Sequence, residues 1–415
     1  MRDLFVTAIV LGSLPFILKR TYIGVLMWSW LAYMNPHRIS WGFARDFPFA
    51  YTVAIVTLIS LLFNKEKKTF PKYSLTMLWV FFLSWMVLTT LFSIYPEISQ
   101  VQLIKVAKIQ LFTLLTLLLI SNVERINKLI WVIVLSLSYF GVKGGLFTIR
   151  HGGSFTVWGP PNTFIEGNNE LALAILMVIP LMNYLREITQ SKWVKIGLLV
   201  GMILMGVSAI GSQSRGALVA GGAMLLLFWF KSRTKFRTGL FVIIFAVLLA
   251  AFMPESWHSR MDTMETYKED ASAMGRINAW QAAFYLATDR FMGGGFDGIN
   301  SKAIFQMYAP NPLNYHDAHS IYFEVLGDHG FVGLGLFLLM AISVWKMASR
   351  VIKDTAKKEE LQNFNTLAKM LQVSLLAYLT GGIFLGLAYF DLYYHLIVLT
   401  LLCRYLVDQQ LQINR

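Results

Sequence analysis

The chain has 415 residues, 56% of them hydrophobic and 14% charged, with a mean hydropathy of +0.57. These values exclude an ordinary soluble domain and point to a polytopic membrane protein. The net charge of +13 is no nucleic-acid footprint, because the basic residues come in short clusters between apolar runs, as cytoplasmic loops do under the positive-inside rule.

The N-terminal stretch MRDLFVTAIVLGSLPFILKR has no small-residue cleavage site before the next apolar run and reads as a retained membrane segment. Apolar runs fall at 4–18, 22–34, 48–63, 74–93, 102–120, 126–148, 168–185, 193–211, 215–230, 238–254, 329–349, 367–388 and 391–406. The connections 64–72 (NKEKKTFPK), 231–237 (KSRTKFR) and 350–360 (RVIKDTAKKEE) are basic and are expected in the cytoplasm. The connection 93–100 (SIYPEISQ) has no Lys or Arg and belongs outside. Alternation then places 149–167, 212–215 and all of 255–318 outside as well. The first two runs are short for a span of roughly 20 residues. Taken as one broken segment, they leave about 12 spans with both termini inside, which we expect; crossing separately they would give 13. The predicted fold is an all-α polytopic integral membrane protein. Its N-terminal spans occupy 1–254, a periplasmic segment 255–318 and the C-terminal spans 319–415. The lone Cys403 offers neither a disulfide framework nor a cysteine metal site.

The segment 255–318 is too polar to span and too aromatic for a disordered linker. From Gly275 and Arg276 a helical pattern puts Ile277, Trp280, Ala283 and Phe284 on one face, an amphipathic helix lying on the membrane or capping a cavity. The glycines of 291–300 (FMGGGFDGIN) mark a tight turn. Next comes 311–333 (NPLNYHDAHSIYFEVLGDHGFVG), with His316, Asp317, His319, Ser320 and Glu324 at the entry to an apolar run. If His319 opens one continuous helix, Leu326, Gly330 and Gly333 share its face, and the two glycines would admit a neighbouring helix beneath it.

Ionisable groups in or beside spans are costly and usually face a cavity or a partner. Arg215 stands between two spans joined by almost no loop, among Gly211, Ser212, Ser214 and Gly216. Lys105 and Lys108 begin the fifth run one turn apart; Arg276 lies on the external helix and His319 at the eleventh run. The topology puts all of them on the outer side. Clustered cations want an anion, and the guanidinium fork suits phosphate oxygens. No nucleotide is supplied outside the bacterial cytoplasm, so a phosphate donor there would be lipid-linked. No DxD, HExxH or Cys/His spacing is present on that side, so no metal or other cofactor is expected.

His319-Ser320, nine residues, then Gly330-Phe331-Val332-Gly333 is similar to the histidine signature of the bacterial O-antigen ligase family. Residues 211–220 (GSQSRGALVA) resemble that superfamily's arginine at the start of a span, and 167–180 (GNNELALAILMVIP) its Asn-containing span. Residues 34–50 (MNPHRISWGFARDFPFA) resemble the exosortase-associated O-glycosylation ligase-like branch. The resemblance implies a GT-C-like glycosyltransferase of the inner membrane. Such an enzyme joins undecaprenyl-diphosphate-linked glycan to a lipid A-core acceptor at the periplasmic face, by inverting, metal-independent transfer. O-antigen polymerases and protein O-oligosaccharyltransferases share the fold and the arginine. The transfer needs a base, which histidine can supply near neutral pH. His319 is the expected base and His316 its rival. Arg215, Arg276 and Lys105 are the expected diphosphate ligands, with Asp317, Glu324 and Asn169 as orienting or acceptor-side groups.

A lipid-linked glycan transporter is the competing class. Paired halves with broken helices would mark it; none is visible, and the outer segment occurs once. An intramembrane protease would need a catalytic pair; Asp391 and His395 share a helix face but no nucleophile motif accompanies them.

Overall fold

A computed structural model of the chain describes residues 2–66, 68–232, 234–262 and 271–413, and these are helices joined by irregular connections. Residues 263–270, within the expected periplasmic segment, lie outside the described residues. In chain order the helices are α1 (Arg2–Lys19), α2 (Tyr22–Met34), α3 (Phe49–Phe63), α4 (Ser74–Leu91), α5 (Pro96–Leu119), α6 (Val123–Arg150), α7 (Asn168–Ile188) and α8 (Lys192–Gly211). They continue with α9 (Arg215–Lys231), α10 (Lys235–Phe252), α11 (Glu255–Asp262), α12 (Ala271–Asp289), α13 (Lys302–Tyr308), α14 (Ile321–Thr355), α15 (Gln362–Gly381) and α16 (Asp391–Ile413). Among the described residues, 8 helices are long and apolar enough to cross a membrane, and α2 and α3 are shorter apolar helices. The chain is a multi-pass membrane protein.

The first two apolar runs do not form one broken segment. They are separate antiparallel helices. Asp3, at the start of α1, accepts hydrogen bonds from Gly42 N (3.0 Å) and Ala44 N (3.3 Å), beyond the end of α2. At the other tip, Ser60 Oγ donates to Ile17 O (2.8 Å) and Asn64 Nδ2 to Lys19 O (2.9 Å). The polar turn at Arg20–Thr21 reverses the chain, with Thr21 Oγ1 2.8 Å from Ser60 Oγ.

Burial sorts the spans. α7 is the hub, with 78% of its apolar window buried, and α15 follows at 67%. Ser374 Oγ of α15 donates to Met177 O of α7 (2.6 Å). By contrast only 6% of the α10 window is buried, as fits a helix whose apolar residues run all round it and face lipid.

The bundle has two chemically different ends. At one, Arg125 pairs with Glu66 (2.9 Å) and Arg404 with Asp354 (2.5 Å), and Tyr73 donates to Asp408 (2.7 Å). The basic connections gather there. At the other, Val157 N bonds Gly211 O (3.0 Å), Ile94 N bonds Gly294 O (3.0 Å), and Arg290 donates to Phe92 O (2.9 Å).

This second end carries α12 and α13 over α14. The buried face of α12 runs through Ala279, Ala282, Ala283 and Leu286, packed with Ile299, Ile304, Phe305 and Ala318. That face is rotated from the expected one, and Phe284 is 44% exposed. The reason is close packing. Small side chains seat the helix on α14, while Trp280 stacks on Phe323 with ring centroids 5.0 Å apart.

Nor is α14 continuous. Gly330 breaks it with φ 66° and ψ −171°, a conformation open almost only to glycine. The break strands the carbonyls that precede it, and each is met from outside. Gly294 N donates to Gly327 O (2.8 Å) and Gly295 N to Asp328 O (3.0 Å). Trp85 Nε1 donates to His329 O (2.8 Å). The glycines at 293–295 are thus the cap of a half-helix. A Cβ on Gly330 would lie 2.3 Å from Phe291 O.

Candidate active site

His319 does not open α14. It lies before the N-cap Ser320, with φ 40°, in the left-handed region that few non-glycine residues adopt. Gly330 and Gly333 therefore do not share a helical face with it; they receive the 291–293 turn, and His329 with Trp85. What presents His319 is the strap 311–318, held by α12. Asn278 Nδ2 donates to Asn311 O (2.9 Å) and Asn314 O (3.0 Å), and its Oδ1 accepts from Asn311 N (2.9 Å). Trp280 Nε1 donates to Ala318 O (2.7 Å). The His316 ring packs on the bare backbone of Gly275, where a Cβ would lie 2.6 Å away. His316 is thereby built into the strap, next to Arg276.

The His319 side chain is 38% exposed, and its Nδ1 lies 3.7 Å from Asp317 Oδ2. That is longer than a hydrogen bond but within electrostatic range. Glu324, the other expected orienting carboxylate, is engaged elsewhere: its Oε2 accepts from Ala388 N (3.0 Å) and braces the loop after α15. Of the two, Asp317 is the one beside the imidazole. A third carboxylate stands nearby. Glu170, half-buried in the first turn of α7, feels the charges of His319, Asp317 and Arg276. Its carboxylate rests over Gly167, where a Cβ would collide with it.

Arg215 begins α9, capped by Ser214, whose side chain accepts from Ala217 N. Its turn is tied to the start of α7 by Asn168, which donates Nδ2 to Ser212 O (2.8 Å). The neighbouring Asn169 is half-buried, and the bond comes from Asn168. Gly216 packs on Phe384, and Gly382 on Ile321 at the start of α14. So α7, α9 and α14 begin around one site, with the 382–388 loop between them.

Lys105 stands further round. It is exposed on α5, and its charge acts on Asp297. Burial pushes the Asp297 carboxyl above its ordinary range; a hydrogen bond from Asn300 and the Lys105 charge oppose this, and Asp317 adds to it. Lys105 therefore faces the site across Asp297. Lys108 donates to Tyr51 OH (2.6 Å) and lies over its ring, anchoring α5 to α3.

Glu170, Asn168 and Asp297 had no distinguishing signal in the sequence. In GNNELALA the polar residues read as the first turn of a span, and Asp297 as part of a glycine turn. The structure brings together His319, Asp317, Glu170 and Arg276, links the Arg215 turn to the same helix start, and leaves Lys105 at the edge.

Residues 171–338 match the O-antigen ligase family, and residues 1–190 match a family of unknown function (DUF5935). No curated protein matches the chain. The first match takes in Arg215, Arg276, His316, Asp317, His319 and Glu324, with Glu170 immediately before it. The domain that carries the site, residues 171–338, is thus similar to the O-antigen ligase family.

Proposed function

We propose that the protein is an O-antigen ligase. It transfers glycan from undecaprenyl diphosphate to lipid A-core oligosaccharide at the periplasmic face of the inner membrane, with inversion and without a metal. The observation that carries this is the gathering of His319, Asp317, Glu170 and Arg276 at the bundle end opposite the basic connections. Positive-inside orientation makes that end periplasmic. Counting α1–α10 and α14–α16 as crossings gives 13 with 255–318 outside.

In this mechanism His319 Nε2 takes the proton from an acceptor hydroxyl. The hydroxyl oxygen attacks the anomeric carbon from the face opposite the diphosphate, and the carbon–oxygen bond to the diphosphate breaks. Undecaprenyl diphosphate leaves with the bonding electron pair, and the proton stays on the imidazole until solvent removes it. Asp317 stabilises the imidazolium. Arg215 and Arg276 meet the developing diphosphate charge, a term that is often the largest in catalysis. The amino ends of α7, α9 and α14 add positive potential there. Lys105, beyond Asp297, steers the donor, and Asn169 faces the acceptor.

The test is reconstitution with undecaprenyl-diphosphate glycan and three acceptors: lipid A-core, a protein, and a second lipid-linked glycan. Product on lipid A-core alone is expected. Product on either other acceptor, with none on lipid A-core, would make the chain an oligosaccharyltransferase or a polymerase. Movement of donor across the membrane without transfer would make it a transporter.

A further inference from the structure

Residues of α2, α6, the 163–165 connection and α16 line a small, partly open cavity of about 10 Å³. Tyr33, Asn35, Thr163, Phe390 and Asp391 are among its lining residues. The space admits about one water molecule or one small ion.

Asp391 is the first residue of α16 and 7% exposed. Its Oδ1 is buried without a hydrogen-bond partner. Among the described residues, no cationic side chain forms an ion pair with it. The polar groups around it are neutral. Tyr33 OH lies 2.7 Å from His395 Nδ1, which also lies 3.0 Å from Asp391 O; His395 Nε2 is 3.5 Å from Ser29 Oγ. An unpaired carboxylate so deeply buried is costly and calls for a positive charge. Divalent ions are served by several carboxylates or by waters the space cannot hold. Among the described residues no group of three His, Cys, Asp or Glu side chains gathers that could hold a metal. One carboxylate with neutral hydroxyl and amide oxygens in a cavity of this size suits a single small monovalent cation.

We propose that Asp391, with oxygens of Tyr33, Asn35 and Thr163, binds one Na+ or K+ ion. The ion joins α2 to α16 and so clasps the N-terminal helices, matched by the family of unknown function, onto the last helix of the bundle. The site is independent of the transfer reaction and needs no donor or acceptor.

The experiment measures thermal unfolding of the purified full chain in detergent. The protein is exchanged into N-methyl-D-glucamine chloride, then titrated with NaCl, KCl or CsCl at constant ionic strength. The melting temperature is expected to rise saturably by about 2–8 °C with Na+ or K+ and not with Cs+, which is too large for the cavity. Asp391→Asn should remove the rise. Tyr33→Phe, which keeps the carboxylate, should move the half-effect to about tenfold higher concentration, and it carries the test if Asp391→Asn does not fold. No saturable rise in the wild type, an equal rise with Cs+, or an unchanged titration in these variants overturns the proposal. A melting temperature indifferent to Na+ and K+ that rises on acidification overturns it in favour of a bound proton.

Discussion

His319 is held in a left-handed backbone conformation, and non-glycine residues in that region often mark a functional constraint. Its surroundings decide its chemistry. Glu170 lies within reach of the His319 and Arg276 charges, so Glu170→Gln should lower turnover, measured beside the wild type in the same membranes. Unchanged turnover would make Glu170 a packing residue of the helix start. Arg215→Ala should abolish transfer, and Arg215→Lys should restore little of it, since an ammonium cannot reproduce a two-point fork; full activity with Lys would reduce Arg215 to a point charge. His319 and Arg215 stood out in the sequence as candidates because charged or titratable groups at span ends are conspicuous. Glu170 was not, because its role depends on chain 149 residues later.

At the scale of the element, the break in α14 is what lets a short outer half-helix follow the His319 strap while the inner half crosses the membrane. Gly330→Ala must place a Cβ 2.3 Å from Phe291 O at φ 66°. Backbone strain alone amounts to about 1–3 kcal/mol, so a clear fall in melting temperature is expected in detergent. Gly335→Ala is the control: nothing lies within 4 Å of its Cβ position, and alanine favours a helix. Equal behaviour of the two variants would show that the break is not constrained. The helical periodicity of 319–333 runs straight through this point, so the break was not visible. The FMGGGFDGIN turn was, but its partners, the carbonyls of Gly327 and Asp328, are tertiary.

Across the whole molecule the apolar runs and basic connections were legible, since lipid demands long apolar helices. The antiparallel relation of α1 and α2 was not; it rests on bonds from Asp3 to residues 42 and 44 and from Ser60 to Ile17. Orientation is directly testable, because the native Cys403 is buried. Leu313→Cys, at a position 91% exposed, should react with an impermeant thiol reagent from the periplasm. Glu360→Cys should react only after permeabilisation. The reverse pattern would place the site in the cytoplasm and remove the lipid-linked donor.

The central claim is that His319 does chemistry on a donor other residues hold, and one preparation of His319→Ala tests it. Donor binding and turnover are measured on that same sample. Binding near the wild-type level with turnover lowered about 10²–10⁴-fold, the usual share of acid–base catalysis, is the predicted result. A parallel loss of both, or turnover near wild type, would contradict it.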